Sequence, residues 1–220
     1  SDTSLIYATT VGSGDAGQVT INAERIRMTG ASSIQANSHG GTGNAGGIVL
    51  NASESFQMTD RQPVRTRQTW QRSDNIVWPG GLVAEASALG SAGRILVRAP
   101  SVLLDDGRIL STAFGSGQGG RVEIQAGNLV MRNGAQIDAR SAEGSSGDAG
   151  SIELVVSGEL ALSGRSPVDG KFSGLYAQTR GGGRGGNVTL SATRISIIDG
   201  GRIEATSTGS GTEPIARMAS

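Results

Sequence analysis

The sequence predicts an all-β fold: a single-stranded, right-handed parallel β-helix (a solenoid) of about six rungs of roughly 27–30 residues, with two loop insertions. Three observations predict it. A Gly-x-Ala/Gly-Gly motif recurs six times, short runs of alternating apolar residues follow each copy, and Gly makes up 36 of the 220 residues while aromatic residues make up 3 %. Because Gly costs about 1 kcal/mol at an interior helix position, this composition disfavours a helical bundle.

The glycine motif marks the beginning of each unit. Its six copies start at Gly14, Gly43, Gly90, Gly117, Gly147 and Gly183. The intervals between them are 29, 47, 27, 30 and 36 residues, so the second and fifth units are the same basic unit with an insertion. A recurring interval of this length is typical of stacked repeat proteins, in which no repeat can bury its apolar face alone.

A five-residue run directly after each motif alternates aliphatic with mostly polar residues, as in Val19-Thr20-Ile21-Asn22-Ala23. The equivalent runs are 48–52, 95–99, 122–126, 152–156 and 188–192. Alternation with a period of two predicts a strand with one buried face.

Two shorter apolar runs complete each unit. In the first unit they are 26–28 and 34–36, and they recur at 56–58 and 82–84, 102–104 and 109–111, 129–131 and 137–139, 160–162 and 175–177, and 195–197 and 203–205. A turn such as Asn133-Gly134 separates them, since Asn and Gly tolerate positive φ. Three strands joined by such corners describe one rung, and the small residues equivalent to Ala36 predict a close approach of opposing sheets.

We expect the chain to divide into three parts. Residues 1–13 contain the last strand of an upstream rung, because Ile6-Tyr7-Ala8 matches the third run, and residues 14–211 form the β-helix repeats. Residues 212–220, where the pattern is lost, form an irregular tail. A first residue other than Met and the lack of a leader-like segment indicate a piece of a longer protein or a processed form, with the array continuing upstream.

Composition excludes several classes of protein. The chain has no Cys for a disulfide framework, and Gly does not recur every third residue as in collagen. Ordered hydrophobic residues and zero net charge exclude a disordered chain and the basic face that nucleic acid requires. No apolar stretch reaches the ~18 residues of a transmembrane span. Leucine-rich repeats have a Leu/Asn consensus that is absent here, and calcium-binding nonapeptide rolls have a much shorter period.

The unit Gly-Asn/Asp-Ala-Gly, then Val-Thr-Ile-Asn-Ala, then Gly-Ala-x-Ile-x-Ala resembles the repeat region of filamentous haemagglutinin-like exoproteins, in the Gly/Asn-rich form of cyanobacterial members. The resemblance covers residues 5–209. It implies a passenger of two-partner secretion, located outside the cell or at the cell surface, with an outer-membrane transporter as a partner. Members of this family are mostly surface adhesins or toxin carriers, whose β-helical repeats act as stalk and contact surface.

The residues predict no catalytic, cofactor or metal site. His39 is the single His of the chain, and its Gly-rich corner favours a solvated side chain instead of a triad or zinc site. Strand neighbours such as Asp105 and Asp106 point to opposite faces, so Asp106 is expected to form a turn and not half of a glycoside-hydrolysing pair. Asp15 and Asp148 lie in the glycine corners, where capping of turns is expected and calcium binding is the alternative.

The two insertions, residues 61–81 and 165–174, leave from the same corner between the second and third strands. The candidate partner-binding residues of the first are Arg61, Arg65, Arg67, Trp70, Arg72 and Trp78. Trp can stack on sugar rings, and Arg donates hydrogen bonds to carboxylates or sulfates. The simpler interpretation is that both insertions fold back and cover the side of the β-helix.

The expected function is non-catalytic: a structural and adhesive segment of a secreted or cell-surface bacterial exoprotein, with host or matrix glycans or surface proteins as partners. Two alternatives stay open. One is a β-helix carbohydrate-active enzyme, a polysaccharide lyase or hydrolase, which should present carboxylates or Arg and Lys stacked along one outer groove. The other is an extracellular glycan-binding module.

Overall fold

The computed structural model describes residues 4–60, 80–207 and 216–219, the last of these as backbone. This part of the chain forms seventeen strands and no helix, so the predicted all-β class is confirmed. The strands are β1 (Leu5–Tyr7), β2 (Thr10–Val11), β3 (Val19–Thr29), β4 (Ser33–Gln35), β5 (Ser38–Gly41), β6 (Ile48–Thr59), β7 (Gly81–Val83), β8 (Ala86–Ala88), β9 (Arg94–Asp105), β10 (Arg108–Leu110), β11 (Arg121–Arg132), β12 (Gln136–Asp138), β13 (Ser151–Ser163), β14 (Gly174–Tyr176), β15 (Asn187–Ile198), β16 (Arg202–Glu204) and β17 (Ala216–Ala219).

The strands stack into three parallel sheets. The long-strand sheet has the order β3-β6-β9-β11-β13-β15-β17, and the short-strand sheet has the order β1-β4-β7-β10-β12-β14-β16. A third sheet, β2-β5-β8, continues through Ala113, Ser141, Thr179 and Ser207 as isolated parallel bridges. Equivalent residues of successive rungs pair with each other, which agrees with the predicted solenoid of stacked rungs. We number rungs 1 to 6 by the long strands β3, β6, β9, β11, β13 and β15.

The first and second runs of each unit form one long strand, where the sequence suggests two. Pairing of β11 with β9 continues from Arg121 to Arg132, and β11 meets β13 with a register shift between Ala126 and Leu129. A bulge of this kind bends a strand while most of its ladder persists, so the two runs need no turn between them. The third sheet, directly after the third run, is a further element that the sequence analysis does not predict.

At the two ends of the described chain, strands add to the same ladders. β1 pairs with β4 so that Ile6 aligns with Ile34. Residues 216–219 form β17, with Ala216 beside Val188 of β15. The structure differs here from the irregular tail expected over 212–220, because backbone pairing to the edge of β15 needs no copy of the repeat consensus.

The core lies inside the stack and consists of columns of equivalent side chains. In the short-strand sheet the inward column is Ile34, Leu82, Ile109, Ile137 and Leu175, each at most 3 % exposed. Two positions later the column is Ala36, Ala84, Ser111, Ala139 and Ala177, all fully buried. These small side chains bear out the close approach of sheets that the third run predicts.

At the glycine corner, which precedes each long strand, successive rungs touch backbone to backbone. A Cβ on Gly117 would lie 1.9 Å from the carbonyl oxygen of Gly90, and a Cβ on Gly120 would lie 2.0 Å from that of Gly93. The same contact, at 1.8–2.1 Å, recurs at Gly43, Gly46, Gly90, Gly93, Gly147, Gly150, Gly183 and Gly186. None of these residues has positive φ. The repeated glycines are therefore required because a side chain has no room, and not because of an unusual backbone.

Candidate functional site

The first insertion, with its candidate partner-binding residues, lies almost entirely outside the described residues. Arg61, Arg65, Arg67, Trp70, Arg72 and Trp78 all fall within 61–79. Their role as a partner-binding loop stays a prediction.

The second insertion folds into a compact loop, residues 165–173, that we call the strap; Gly174, the last residue of the predicted insertion, already belongs to β14. Arg165 and Phe172 form an antiparallel bridge. Inside the loop, the backbone N–H of Ser166 donates to the Lys171 carbonyl at 2.7 Å, and that of Gly170 donates to the Ser166 carbonyl at 3.1 Å. The strap is therefore held by its own hydrogen bonds as well as by its contacts with the β-helix.

The strap lies against rungs 3 and 4. Its Ser166 hydroxyl donates to Asp106 Oδ2 at 2.9 Å, and its Asp169 pairs with Arg108 at 2.6 Å. The backbone of Ser166 passes so close to Gly134 that a Cβ there would lie 2.4 Å from the Ser166 Cβ. For this insertion, the structure shows the lateral cover that the simpler interpretation predicts.

The aromatic side chain of the strap is clamped between cations. The guanidinium of Arg165 lies 4.4 Å and that of Arg202 lies 3.9 Å from the centroid of the Phe172 ring. At these distances both cations attract the ring face. Phe172 therefore ties the strap to rung 6 as well, on the side opposite Asp106.

Asp105 and Asp106 have separate structural roles. Asp106 has φ of 58°, in the left-handed region, and the equivalent Asn133 and Asp199 have φ of 55° and 47°, so the predicted turn-forming role is confirmed. Asp105 is buried and accepts hydrogen bonds from Arg132 at 2.9 Å and from Asn133 Nδ2 at 2.9 Å. Both carboxyls are therefore engaged in contacts that hold neighbouring parts of the fold together.

The face of the short-strand sheet that points away from the apolar core carries two columns of mostly polar side chains that the sequence analysis does not single out. Gln35, Asn37, Thr112 and Asp138 in these columns are at most 5 % exposed. One outward column is Gln35, Val83, Leu110, Asp138, Tyr176 and Glu204, from successive rungs. A second column, two residues later in each rung, is Asn37, Glu85, Thr112, Arg140 and Gln178. We call these two columns the outer polar face.

Within the outer polar face, neighbouring side chains are paired. Arg140 Nε donates to Asp138 Oδ1 at 2.9 Å, and its second nitrogen pairs with the other carboxylate oxygen. Gln178 donates to Glu204, whose side chain is one-third exposed. One pair lies within rung 4 and the other joins rungs 5 and 6, and together we call them the polar strip.

Two carboxyls of the outer polar face have perturbed protonation. Burial, helped by the charge of Asp138 and opposed by Arg140 and the Thr112 hydroxyl, raises the pKa of Glu85 to about 7. Burial also raises the pKa of Asp138, against the attraction of Arg140. A carboxyl that is half protonated near neutral pH, under the influence of a second carboxyl two rungs away, is a feature that general acid–base chemistry uses.

A signal for the polar strip is present in the sequence. The third runs repeat most clearly at their inward positions, such as Ile137 and Ala139, whereas the residues that alternate with them vary from unit to unit. Reading the intervening positions 138 and 140 column by column would have placed Asp138 and Arg140 on one face. No sequence signal reports that Glu85, two rungs away, has its pKa raised by Asp138.

The second position of the glycine corner holds side chains that link one rung to the next. Asp15 Oδ1 accepts hydrogen bonds from the backbone N–H of Asn44 at 2.7 Å and from its Nδ2 at 3.1 Å, and Asn44 Oδ1 accepts from the N–H of Ser91 at 2.9 Å. Asp148 Oδ1 accepts from the N–H of Arg184 at 2.7 Å. Among the described residues there is no group of three His, Cys, Asp or Glu side chains that could hold a metal ion. The corner acids therefore link successive rungs, whereas the sequence analysis expects them to cap turns.

Two further features are an uncharged groove and the partly buried His39. An open groove of 930 Å³ crosses the bend of the long strands, and its lining from Ala99 to Thr193 is uncharged. His39 lies in β5 and is partly buried, in contrast to the solvated position expected for it, and this burial lowers its pKa. Neither feature adds an acid or base to the outer polar face.

In the described part of the chain, no helix has the length and apolar character needed to cross a bilayer.

Comparison of this chain with protein-family models, with curated proteins and with solved structures found no match.

Proposed function

We propose that this chain is a non-catalytic structural and adhesive segment of a secreted or cell-surface bacterial exoprotein, similar to the β-helical stalks of filamentous haemagglutinin-like proteins. The partly exposed end of its outer polar face, at Arg140, Gln178 and Glu204, and the loop 61–81 are the surfaces that we propose to contact glycans or surface proteins. An outer-membrane transporter is the proposed partner in export.

The observation that carries the proposal is the regular stacking of the rungs. Five pairs of long strands, from β3 to β15, are joined in parallel register, and the glycine corners repeat the same backbone contact from rung to rung. A solenoid of this kind is stabilised chiefly by contacts between neighbouring rungs. Such a rod holds its outward side chains at fixed intervals of roughly 4.8 Å, which suits a stalk that also presents a binding surface.

The outer polar face supports the adhesive part of the proposal. Gln178 and Glu204 are partly exposed and pair with each other, and Arg140 keeps about a quarter of its side chain accessible, at 27 %. Planar amide, carboxylate and guanidinium groups on a rigid scaffold are the donors and acceptors that recognise polar ligands.

The test is binding of the purified chain to a glycan array and to cells, with two sets of variants. Gln178→Ala with Glu204→Gln removes polar groups from the outer polar face, and Trp70→Ala with Trp78→Ala removes the aromatic side chains of the loop. Glu159→Gln, an exposed acid on the long-strand sheet, is the matched control. We expect roughly tenfold or greater loss of binding from at least one set, since few residues carry most interface energy. Wild-type chain that binds neither glycans nor cells would contradict the adhesive role.

A second candidate function, a polysaccharide hydrolase, is favoured by one observation: Glu85, with a pKa of about 7, feels the charge of Asp138 across the outer polar face. In such an enzyme a protonated carboxyl donates to the leaving oxygen, and an ionised carboxyl activates water or attacks the sugar. Glu85 would be the acid and Asp138 the ionised partner.

Release of reducing ends from a panel of acidic and neutral polysaccharides distinguishes the two functions. A hydrolase should lose activity at least 100-fold on Glu85→Gln, while binding is retained. Wild-type chain that binds glycans and releases no reducing ends supports the non-catalytic proposal. Turnover that Glu85→Gln abolishes would replace it with the enzyme.

A further inference from the structure

The strap is attached to the β-helix through a buried carboxyl that lacks part of its hydrogen bonding. Asp106 is 4 % exposed and accepts the Ser166 hydroxyl on Oδ2. Its other oxygen, Oδ1, is buried and has no hydrogen-bond partner in the described structure. A buried carboxylate oxygen without a donor destabilises the ionised form of the group.

The charges around Asp106 do not compensate for this missing donor. From the strap, Asp169 faces Asp106, and it is itself held by Arg108 at 2.6 Å and by Lys171 at 3.2 Å. Asp60, at the end of β6, adds a second negative charge that acts on Asp106. Arg108, the cation of β10 that attracts the Asp106 carboxylate, is thus shared with Asp169.

The remaining charged and polar groups at this corner are engaged with Asp105. Arg132 and Asn133, from β11 and the turn after it, both donate to the Asp105 carboxylate. On the far side of the strap, Arg165 and Arg202 lie over the Phe172 ring. None of these contacts supplies a donor to Asp106 Oδ1.

We propose that the strap is a proton-dependent clasp: it is held closed over rungs 3 and 4 while the Asp106 carboxyl is protonated, and it loosens when that carboxyl ionises. The protonated group leaves no uncompensated charge beside Asp169 and Asp60. The ionised group places a carboxylate between them, under the loop that carries Asp169.

The direction of the effect follows from proton linkage. Burial, helped by Asp169 and Asp60 and opposed by the Ser166 hydroxyl and Arg108, raises the pKa of Asp106 to about 6. A pKa that is higher with the strap closed than in a solvated carboxyl means that the closed state binds the proton more tightly. The contribution of Asp106 to closure is therefore fully present below pH 4 and is lost as the pH rises through 6. Asp169, whose pKa is lowered to about 2 against the effect of burial by Lys171 and Arg108, favours closure above about pH 4 and loses that contribution only at more acidic pH.

Opening of the clasp would uncover part of the short-strand sheet. Arg108 would lose Asp169, and the Tyr176 hydroxyl would lose the Phe172 carbonyl to which it donates at 3.3 Å. Both residues lie on the same side of the sheet as the outer polar face. The clasp would thus restrict access to this region in an acidic environment and allow access in a neutral one, whichever ligand the region binds.

Two NMR measurements on the full chain test the clasp. The first follows the side-chain carboxyl carbon of Asp106 and is expected to give a pKa near 6. The second follows hydrogen exchange of strap amides, such as Gly170 N–H, corrected for the intrinsic effect of pH. Because the shift from 3.8 to about 6 is close to two units, strap opening should increase by as much as roughly 100-fold between pH 4 and pH 7.5.

The decisive variant is Asp106→Asn, whose side chain does not titrate. Asparagine fits this turn, because Asn133 occupies the equivalent position in rung 4. Its strap amides should lose the pH dependence, whereas Asp199→Asn, at the equivalent and exposed position of rung 6, should keep it. Ser166→Ala is a second probe: loss of the donating hydroxyl should raise the pKa of Asp106 further, so the proposal stays testable if Asp106→Asn folds poorly.

Two results would overturn the clasp. One is a pKa of Asp106 near 4 in the wild-type chain. The other is the same pH dependence of strap exchange in wild type and in Asp106→Asn, with protection in β11 unchanged.

Discussion

The two corners of each rung impose different kinds of constraint. At the glycine corner a Cβ on Gly117 would collide with the carbonyl oxygen of Gly90 in the rung before it, so the constraint acts between rungs. At the other corner, which we call the turn corner, residues such as Asp106 and Asn133 have positive φ, and the constraint acts within one rung. Both insertions of the chain leave from the turn corner. This corner accepts added residues because they leave the rung between two strands, and the pairing of β13 with β11 and with β15 persists beside the strap.

The largest effect expected from this comparison is at the glycine corner. Gly117→Ala should reduce the free energy of unfolding by about 3 kcal/mol or more, because the methyl group meets backbone that cannot move without separating two rungs. Gly182→Ala is the matched control, since Gly182 has open space around its Cβ position and does not have positive φ. Urea denaturation should show a change of at most about 0.5 kcal/mol for the control. Equal effects of the two variants would remove the distinction between the corners.

Replacement of the strap tests the turn corner. The dipeptide Gly-Ala in place of residues 165–173 copies Gly134-Ala135, which makes the same connection in rung 4. We expect the β-rich circular dichroism spectrum to persist, with a loss of about 1–2 kcal/mol as Arg108 and Asp106 lose Asp169 and Ser166. Collapse of the fold would show that this corner, too, depends on contacts between rungs.

A smaller effect is expected from backbone conformation at the turn corner. Asp199 is exposed and has φ of 47°, so Asp199→Val places a β-branched side chain in the left-handed region at a cost of about 1–2 kcal/mol. Asp199→Gly should be nearly neutral because Gly adopts this conformation readily. Thermal unfolding of the two variants gives the comparison, and a Gly variant as unstable as the Val variant would argue against conformational strain as the cause.

The smallest effect is expected from the side chains that link glycine corners. Asp15→Ala removes the acceptor for the Asn44 N–H and should cost about 0.5–1.5 kcal/mol, the usual net value of one hydrogen bond. Asp15→Asn keeps a side-chain oxygen in place and serves as the control. If alanine and asparagine behave alike in urea denaturation, this link contributes nothing beyond the backbone ladder.

The sequence was sufficient for features that repeat. Ile34, Leu82 and Ile109 predict a buried column because an aliphatic residue recurs at the same position in every unit. The corner glycines are predictable for the same reason. The sequence predicts two strands where the structure has one, for example on either side of the gap between Ala126 and Leu129. A bulge within a strand and a turn between two strands both interrupt the alternation of apolar residues, so the sequence does not distinguish them.

Features that occur once were not predictable from the pattern. Outward alternation suggests that Glu123 is a neutral site for substitution, yet it is 7 % exposed and pairs with both Arg94 and Arg121, which lower its pKa. Gln125, on the same strand, is exposed and is the better neutral site. The docking of Asp169 onto Arg108, 61 residues earlier, has no periodic signal either, because a single insertion supplies one of the partners.

The repeated backbone contact at the glycine corner has a consequence for how such a gene can change. Excision of residues 117–146 would bring Gly147 onto Gly90, and the incoming glycine would meet the same type of carbonyl that it meets now at 1.9 Å. Unequal recombination between repeats would therefore yield shorter or longer proteins whose junctions are already compatible. Length in this molecule varies in whole units of roughly 4.8 Å. Differences of a few residues within a unit lie at the turn corner, at the bulge of the long strand and between the third run and the next glycine corner.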